Sequence, residues 1–546
     1  MNIKKKGPER DDAVRKPVVA DTDFVAGSGG TQTLARAVSL HIEGRTRDAL
    51  RELEEAVEQG ADSPEIHSAR GHLQFELEQY DEAARSYGRV LVMEPQHPAI
   101  HYNLGVCLEK LDRWQEAAEH FENALDKDPR RVDAHLGLGI SRLHLEQADG
   151  ALEAFDRYLA GNPDHATARF GRAVALQLLR RYEEAVELYR QILESTPRSE
   201  EALINLITIG TARKDDAMIR EYAERLLGIS PYSQAALEGL ATCAFSSGDF
   251  EAAARFCAKL VELSPDHFER WFNLGVACQK IGRSEQAAQA YSEAVRVRPE
   301  AKQAWVNLGV VQQELGDAAD ARHAYEKALQ LAPGLPDVIY NLAGVFEQQG
   351  QRDEAEKLYA KLTASNPEWE DAWFRLGYLR FQRGDYSRAI DAFEECLARR
   401  ATWPEAMLNL ALAHWKLGAK DAAKQVFEKL LAGQPDSTDA LRGLASLAVE
   451  RQDYEQALQL QARLIDLGER TPELFYNTGL LLQRSGHVED AIRLYREALA
   501  ERPNFAEALL NLGHALKSHG ETDEARQYWR QALEAKPELA RGYFEG

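Results

Sequence analysis

The sequence predicts an all-α fold, a solenoid of stacked helix-turn-helix repeats, and three observations carry that prediction. Prolines keep a fixed step: Pro95, Pro129, Pro163, Pro197, Pro231, Pro265, Pro299, Pro333 and Pro367 follow one another every 34 residues, and the register returns at Pro435, Pro503 and Pro537 after Ala401 and Glu469. With that proline as position 32, copies begin at residue 64 and tile 64–539 as fourteen repeats without an insertion. Apolar residues fall at helical rather than alternating spacings inside every copy. Glycine recurs between the two apolar runs.

Taken in order, each repeat opens with a helix whose apolar residues stand at positions 4, 7, 8 and 11, as in "WFNLGV" (Trp271–Val276) and "WVNLGV" (Trp305–Val310). Position 15 is Gly248, Gly282, Gly316, Gly350, Gly384, Gly418, Gly486 or Gly520 in eight repeats, which permits the left-handed backbone that ends a helix. The second helix carries apolar residues at positions 20, 24 and 27, and the proline then stops it. Small residues at positions 8 and 20, such as Gly275 with Ala287 and Gly309 with Ala321, let the paired helices approach closely. The repeat 200–233 breaks this rule with Ile207 and Ile219, and a local irregularity is expected there because packed cores tolerate added volume poorly.

Aromatic residues at position 4, Leu-Gly at 7 and 8, Ala at 20, an aromatic at 24 and Pro at 32 resemble the tetratricopeptide repeat pattern, and the likeness covers 64–539. The resemblance implies a right-handed superhelix. A weaker copy at 30–63, with Ala37, Ala49 and Ala56, reads as a degenerate capping repeat. Residues 1–29, charged and without periodicity, are expected to form a disordered tail whose Lys4, Lys5 and Lys6 are solvated, and 540–546 a short C-terminal tail.

Among the 546 residues, 66 Lys+Arg against 88 Asp+Glu give a net charge of -22, which argues against nucleic acid and anionic membranes as partners. No apolar run has the length of a signal peptide or a membrane span, so the chain is expected to be cytoplasmic. No phosphate-binding, dinucleotide or zinc-protease motif appears, and the repeats leave no room for a catalytic domain. Catalysis, cofactors and metal are therefore not expected. Cys107, Cys243, Cys257, Cys278 and Cys396 fall at scattered packing positions and read as reduced thiols. His67, His101 and His135 recur at position 4, but layers roughly 8–10 Å apart cannot share one ion, so they read as packing residues.

Position 6 carries asparagine in eight repeats: Asn103, Asn205, Asn273, Asn307, Asn341, Asn409, Asn477 and Asn511. At 100° per residue this position lies roughly 150° from the apolar stripe of its own helix, which predicts exposure. In this the chain resembles the repeat arm of O-linked N-acetylglucosamine transferases, whose concave asparagine ladder grips extended polypeptides, although no transferase domain accompanies it here. The Lys and Asn or Arg clamp of chaperone-tail binders is missing, since positions 5 and 9 are mostly apolar. Two readings of the ladder stay open: it binds peptide, or each carboxamide bonds a neighbouring helix and fixes repeat spacing. Arg375 replaces the asparagine in one repeat, near Tyr378, Phe381 and Trp415, which favour a binding surface, while the position-5 rings Tyr340 and Phe374 are expected to pack neighbouring helices. The function expected is a non-enzymatic scaffold binding extended protein segments, with a substrate-presenting arm for a separately encoded enzyme, such as a glycosyltransferase, as the alternative. Tyr543 and Phe544, which begin an incomplete helix, suggest weak self-association through that end.

Overall fold

The computed structural model describes residues 30–540, so the expected tail 1–29 and the residues 541–546, Tyr543 and Phe544 among them, lie outside the described residues. Within these bounds the chain is a succession of α-helices, alternating first and second helices from Gly30–Ile42 to Thr522–Ala535, with no strand among the described residues. Helix pairs start at Pro64, Pro98 and Val132 and continue at the period of the prolines. The chain divides into two compact halves, one ending at Arg298 and the other beginning at Pro299.

Local chemistry sets the helix ends. Ser63, Ser199, Ser437 and Thr471 accept a bond from the backbone N–H three residues on, and proline opens the first helices at Pro64, Pro98, Pro336, Pro404 and Pro472, where its missing N–H costs nothing. Position 15 is left-handed in every repeat. Glycine supplies it eight times, while Glu78, Asp112, Glu146, Arg180, Lys214 and Gln452 adopt φ between 55 and 62° without that freedom.

Position 20 is an alanine at 0% exposure in thirteen repeats, Ala83 and Ala287 being two of them. Ile219 is the exception, and both it and Ile207 are buried. Their bulk is absorbed by neighbours that became small: a Cβ on Gly210 would meet Ile219 Cγ1 at 2.9 Å, and one on Gly239 would meet Ile207 Cγ2 at 2.9 Å. Ala223 stands where eleven of the other thirteen repeats place a ring at position 24. Two isoleucines occupy the volume that an aromatic ring fills in most other repeats.

All five cysteines are buried free thiols. Burial pushes the Cys107, Cys257 and Cys396 thiols up to about 12, so they are protonated packing groups. Position 4 reaches back to the preceding repeat: the indole N–H of Trp271, Trp305 and Trp373 donates to the carbonyls of Pro265, Pro299 and Pro367 at 2.7–2.8 Å. His101 does the same, its Nε2 lying 3.0 Å from Pro95 O and its Nδ1 3.0 Å from Nδ1 of His120. A carbonyl only accepts, so His101 donates through Nε2, and in its neutral form its Nδ1 accepts from the His120 Nδ1–H. His67 is buried and bonded to Asp62 at 2.7 Å.

Candidate functional site

The ring at position 24 decides what the asparagine position can do. Tyr87, Phe121, Phe155, Tyr189, Tyr325, Phe427 and Tyr495 are fully buried rings on second helices. Tyr87, Phe121, Phe155, Tyr325 and Tyr495 each lie on the glycine at position 8 of their own repeat, where a Cβ on Gly105 would meet Phe121 at 2.9 Å and one on Gly309 would meet Tyr325 at 2.6 Å. The far end of the ring reaches position 6 of the next repeat. For Phe121, Phe155 and Phe427 that residue is Gly137, Gly171 or Gly443, and a Cβ there would stand 2.4–2.5 Å from the ring tip.

Where the ring is tyrosine, a hydroxyl occupies this point and, except after Tyr359, the next repeat supplies a carboxamide. Asn205 Nδ2 donates to the Tyr189 hydroxyl at 3.0 Å, and that hydroxyl donates to Gln177 Oε1 at 2.9 Å. Asn103 and Asn341 stand beside the Tyr87 and Tyr325 phenols, but the buried Tyr87 hydroxyl makes no hydrogen bond of ordinary geometry. Glutamine at position 12 accepts from the phenol again at Gln279, Gln313 and Gln483, 2.8–3.1 Å from Tyr291, Tyr325 and Tyr495. Burial holds the Tyr87, Tyr189 and Tyr325 phenols above their ordinary range, so all three stay neutral, and Tyr189 and Tyr325 donate to their glutamines.

This corrects the expected exposure of the ladder. Asn103 and Asn205 are buried, at 1% and 0% exposure, because the second helix of the preceding repeat covers the face that a single helical wheel leaves open. Asn307, Asn341, Asn409 and Asn511 are half-buried, and only Asn273 and Asn477 are exposed. Asn409 donates to Glu405 O at 2.7 Å, Asn307 accepts from Gln303 at 2.9 Å, and Asn511 donates to the Tyr476 hydroxyl and to Glu507 O, both at 3.0 Å. The two exposed asparagines follow repeats without a ring at position 24: Cys257 precedes Asn273, and Gln461, bonded instead by Thr478 at 3.0 Å, precedes Asn477.

The Arg375 repeat is a charged version of the same arrangement. Glu347 at position 12 takes the place of glutamine, Tyr359 is the buried ring, and the Arg375 guanidinium bonds the Glu347 carboxylate through Nε at 3.2 Å and through a second, shorter contact. Arg375 also lies 5.6 Å over the Tyr378 ring. Around it, Tyr340 stacks on Trp369 at 5.5 Å and Phe374 on Trp403 at 4.6 Å, Phe381 meets Tyr386 edge-on at 5.5 Å, and the Trp415 indole donates to Glu450 at 3.3 Å. Tyr378, Phe381 and Trp415 are half-buried.

A separate concavity lies in the first half, where the isoleucine pair stands. A cleft of about 1010 Å³ runs between the first helices Glu200–Arg213 and Gln234–Ser247 to the start of Phe268–Lys280. Thr208, Thr211 and Thr242 line it, each donating its hydroxyl to its own helix at 2.8–2.9 Å and so keeping acceptor lone pairs for a ligand. Arg270, a lining cation, is committed to Glu238 at 2.8 Å and Gln234 at 3.1 Å. Backbone N–H groups at the helix start, then Arg298, hold the Glu269 carboxylate below its usual range. The sequence reading missed this cleft. Its signal was the threonine cluster beside a repeat lacking its position-24 ring.

Tetratricopeptide repeat models match residues 68–131, 109–163, 136–200, 219–268, 408–472 and 476–540, and a second such model matches 244–308. The chain belongs to the tetratricopeptide repeat family. The model of the cytochrome c-type biogenesis protein H TPR domain matches residues 297–406 of this repeat array. None of these matches covers 201–218, most of which is the first helix of the isoleucine repeat. No curated protein matches the chain at significant similarity. Among solved structures, MamA is 22% identical, covering 30% of this chain and 91% of its own at a TM-score of 0.29. YrrB, described as a TPR protein with an unusual peptide-binding site, is 21% identical over 35% of this chain and 98% of its own, with a TM-score of 0.32. A repeat protein from Parabacteroides merdae ATCC 43184 is 21% identical over 46% and 98%, with a TM-score of 0.33.

Proposed function

We propose that this repeat protein is a non-enzymatic, cytoplasmic scaffold that holds extended polypeptide segments against its first helices. The threonine cleft carries the reading. Its floor offers hydroxyl and carboxylate oxygens while Arg270 is already engaged, so it favours a ligand that brings N–H donors, as a peptide backbone does. An extended peptide advances about 3.3 Å per residue. With first helices roughly 8–10 Å apart, one backbone group in about three meets each repeat. Asn273 stands one helical turn from Glu269 and extends this surface with a carboxamide that has both donors and an acceptor. In the second half the corresponding role falls to Asn477, with Tyr378, Phe381 and Trp415 supplying selectivity. Asn103 and Asn205 belong to the interior and take no part.

The test is capture of partners from the source cell by the full chain, identified by mass spectrometry, followed by peptide titration with the segments recovered. Thr208→Arg/Thr242→Arg should weaken binding by about tenfold or more with unchanged circular dichroism, and Asn273→Ala should weaken it less. Equal binding by wild type and the arginine variant would overturn the assignment of the cleft. A loss confined to Asn477→Ala would move the site to the second half.

A further inference from the structure

We infer that His41, His72 and Glu76 form a binding site for a divalent cation of the zinc class. His41 lies in the last turn of the helix Gly30–Ile42. His72 and Glu76 are four residues apart in the helix Pro64–Glu76, one turn of the same face. One Glu76 oxygen lies 3.6 Å from His41 Nδ1 and the other 3.6 Å from His72 Nε2. One ligand atom from each of the three residues falls within 4.8 Å of the others, and no other such group of His, Cys, Asp or Glu occurs among the described residues.

The distances suit the ion. Two ligands bound to zinc at about 2.0–2.1 Å and a tetrahedral angle stand roughly 3.4 Å apart, so each His–Glu pair is already close to bonding separation. The two imidazoles need only a small rotation toward each other. Their rings meet edge-to-face with centroids 6.2 Å apart. The Thr46 hydroxyl, 3.4 Å from His41 Nδ1, is the contact that a cation would displace. Two imidazoles and a carboxylate favour zinc, nickel or copper over magnesium or calcium, and three protein ligands leave a fourth position to water or to a group brought by a partner. All three side chains are a quarter to a third exposed, at 33, 23 and 33%, so an ion can enter from solvent. Bound there, it would tie the helix of residues 30–42 to the first full repeat.

Zinc alone is the probe, titrated into the untagged full chain against a chromophoric chelator. One equivalent should bind, and His41→Ala and His72→Ala, which lie on separate helices, should each weaken it by about tenfold or more. His323→Ala, at an exposed histidine in the other half, should leave it unchanged. Amide exchange should slow in residues 30–42 when zinc is added to the wild type and not to either variant. Absence of binding to the folded wild type, equal affinity in both folded histidine variants, or displacement by equimolar magnesium would overturn the site.

Discussion

Breaking the Tyr189–Asn205 bond tests whether the asparagine position joins repeats. Asn205 is fully buried, donates to Tyr189 at 3.0 Å, and Tyr189 in turn donates to Gln177 at 2.9 Å. Tyr189→Phe leaves the Asn205 amide and the Gln177 oxygen without this partner in a buried place, which costs about 1–3 kcal/mol. Asn205→Ala removes one bond but leaves the phenol its acceptor, and alanine favours the helix, so about 0.5–1.5 kcal/mol is expected. In the double variant the amide that Tyr189→Phe would strand is gone, so its cost should fall short of the sum by roughly 1 kcal/mol. Because repeat arrays open from neighbour to neighbour, the coupling should be read locally, by amide exchange in the helices Tyr182–Ser195 and Glu200–Arg213, alongside urea unfolding. Peptide binding at the threonine cleft should be unchanged in Asn205→Ala. Costs that add within about 0.3 kcal/mol would refute the junction and return this asparagine to an independent role.

Glycine at the strained position 15 should stabilise. Replacing Glu146 or Arg180, at φ 61 and 59°, relieves a left-handed penalty of roughly 1–2 kcal/mol against glycine's extra cost of about 0.5–1 kcal/mol, and each variant should raise the urea midpoint through a net gain of about 0–1.5 kcal/mol. Acid should destabilise the protein in two stages. Burial, then His101, lowers the His120 pKa, and burial likewise lowers those of His97 and His135, so the unfolded chain takes up protons first and stability falls as pH drops below about 6.5. Asp62, held down to about 2 by Arg89 and then His67, contributes stability that is present above its ordinary 3.8 and lost as pH falls toward about 2. Melting temperature followed from pH 8 downward checks both, and His120→Gln should flatten the first stage, in the range about 7 to 5.

The repeat register, the helix pairs and the left-handed position 15 were legible because each is written inside one 34-residue copy. The burial of Asn103 and Asn205 was not legible, for the complementary reason. A helical wheel reports which face of a helix meets its own partner and says nothing of what the preceding repeat lays on the opposite face. The missing information was present at another range: Tyr87, Tyr189, Tyr325 and Tyr495 are each followed sixteen residues later by asparagine, and Phe121, Phe155 and Phe427 by glycine. Phe393 with Asn409 departs from this pairing, and there the carboxamide turns to its own helix. The compensation at the isoleucine repeat was hidden in the same way, since it is divided between Gly210, Ala223 and Gly239 of two neighbouring copies. The His41–His72–Glu76 cluster joins two copies through positions that no period marks.

Matched ends also govern how such a chain can be lengthened or shortened by whole copies. Excising residues 132–165 would set Phe121 before Gly171, a ring and a gap that already fit elsewhere in the chain. Excising 166–199 would set Phe155 before Asn205, burying an amide opposite a ring that cannot answer it. Duplication and loss of copies are therefore not equally permitted along the array: the side chains at each seam decide which rearrangements preserve a dry, bonded interior, and a history of such events would leave tyrosine travelling with asparagine and phenylalanine with glycine.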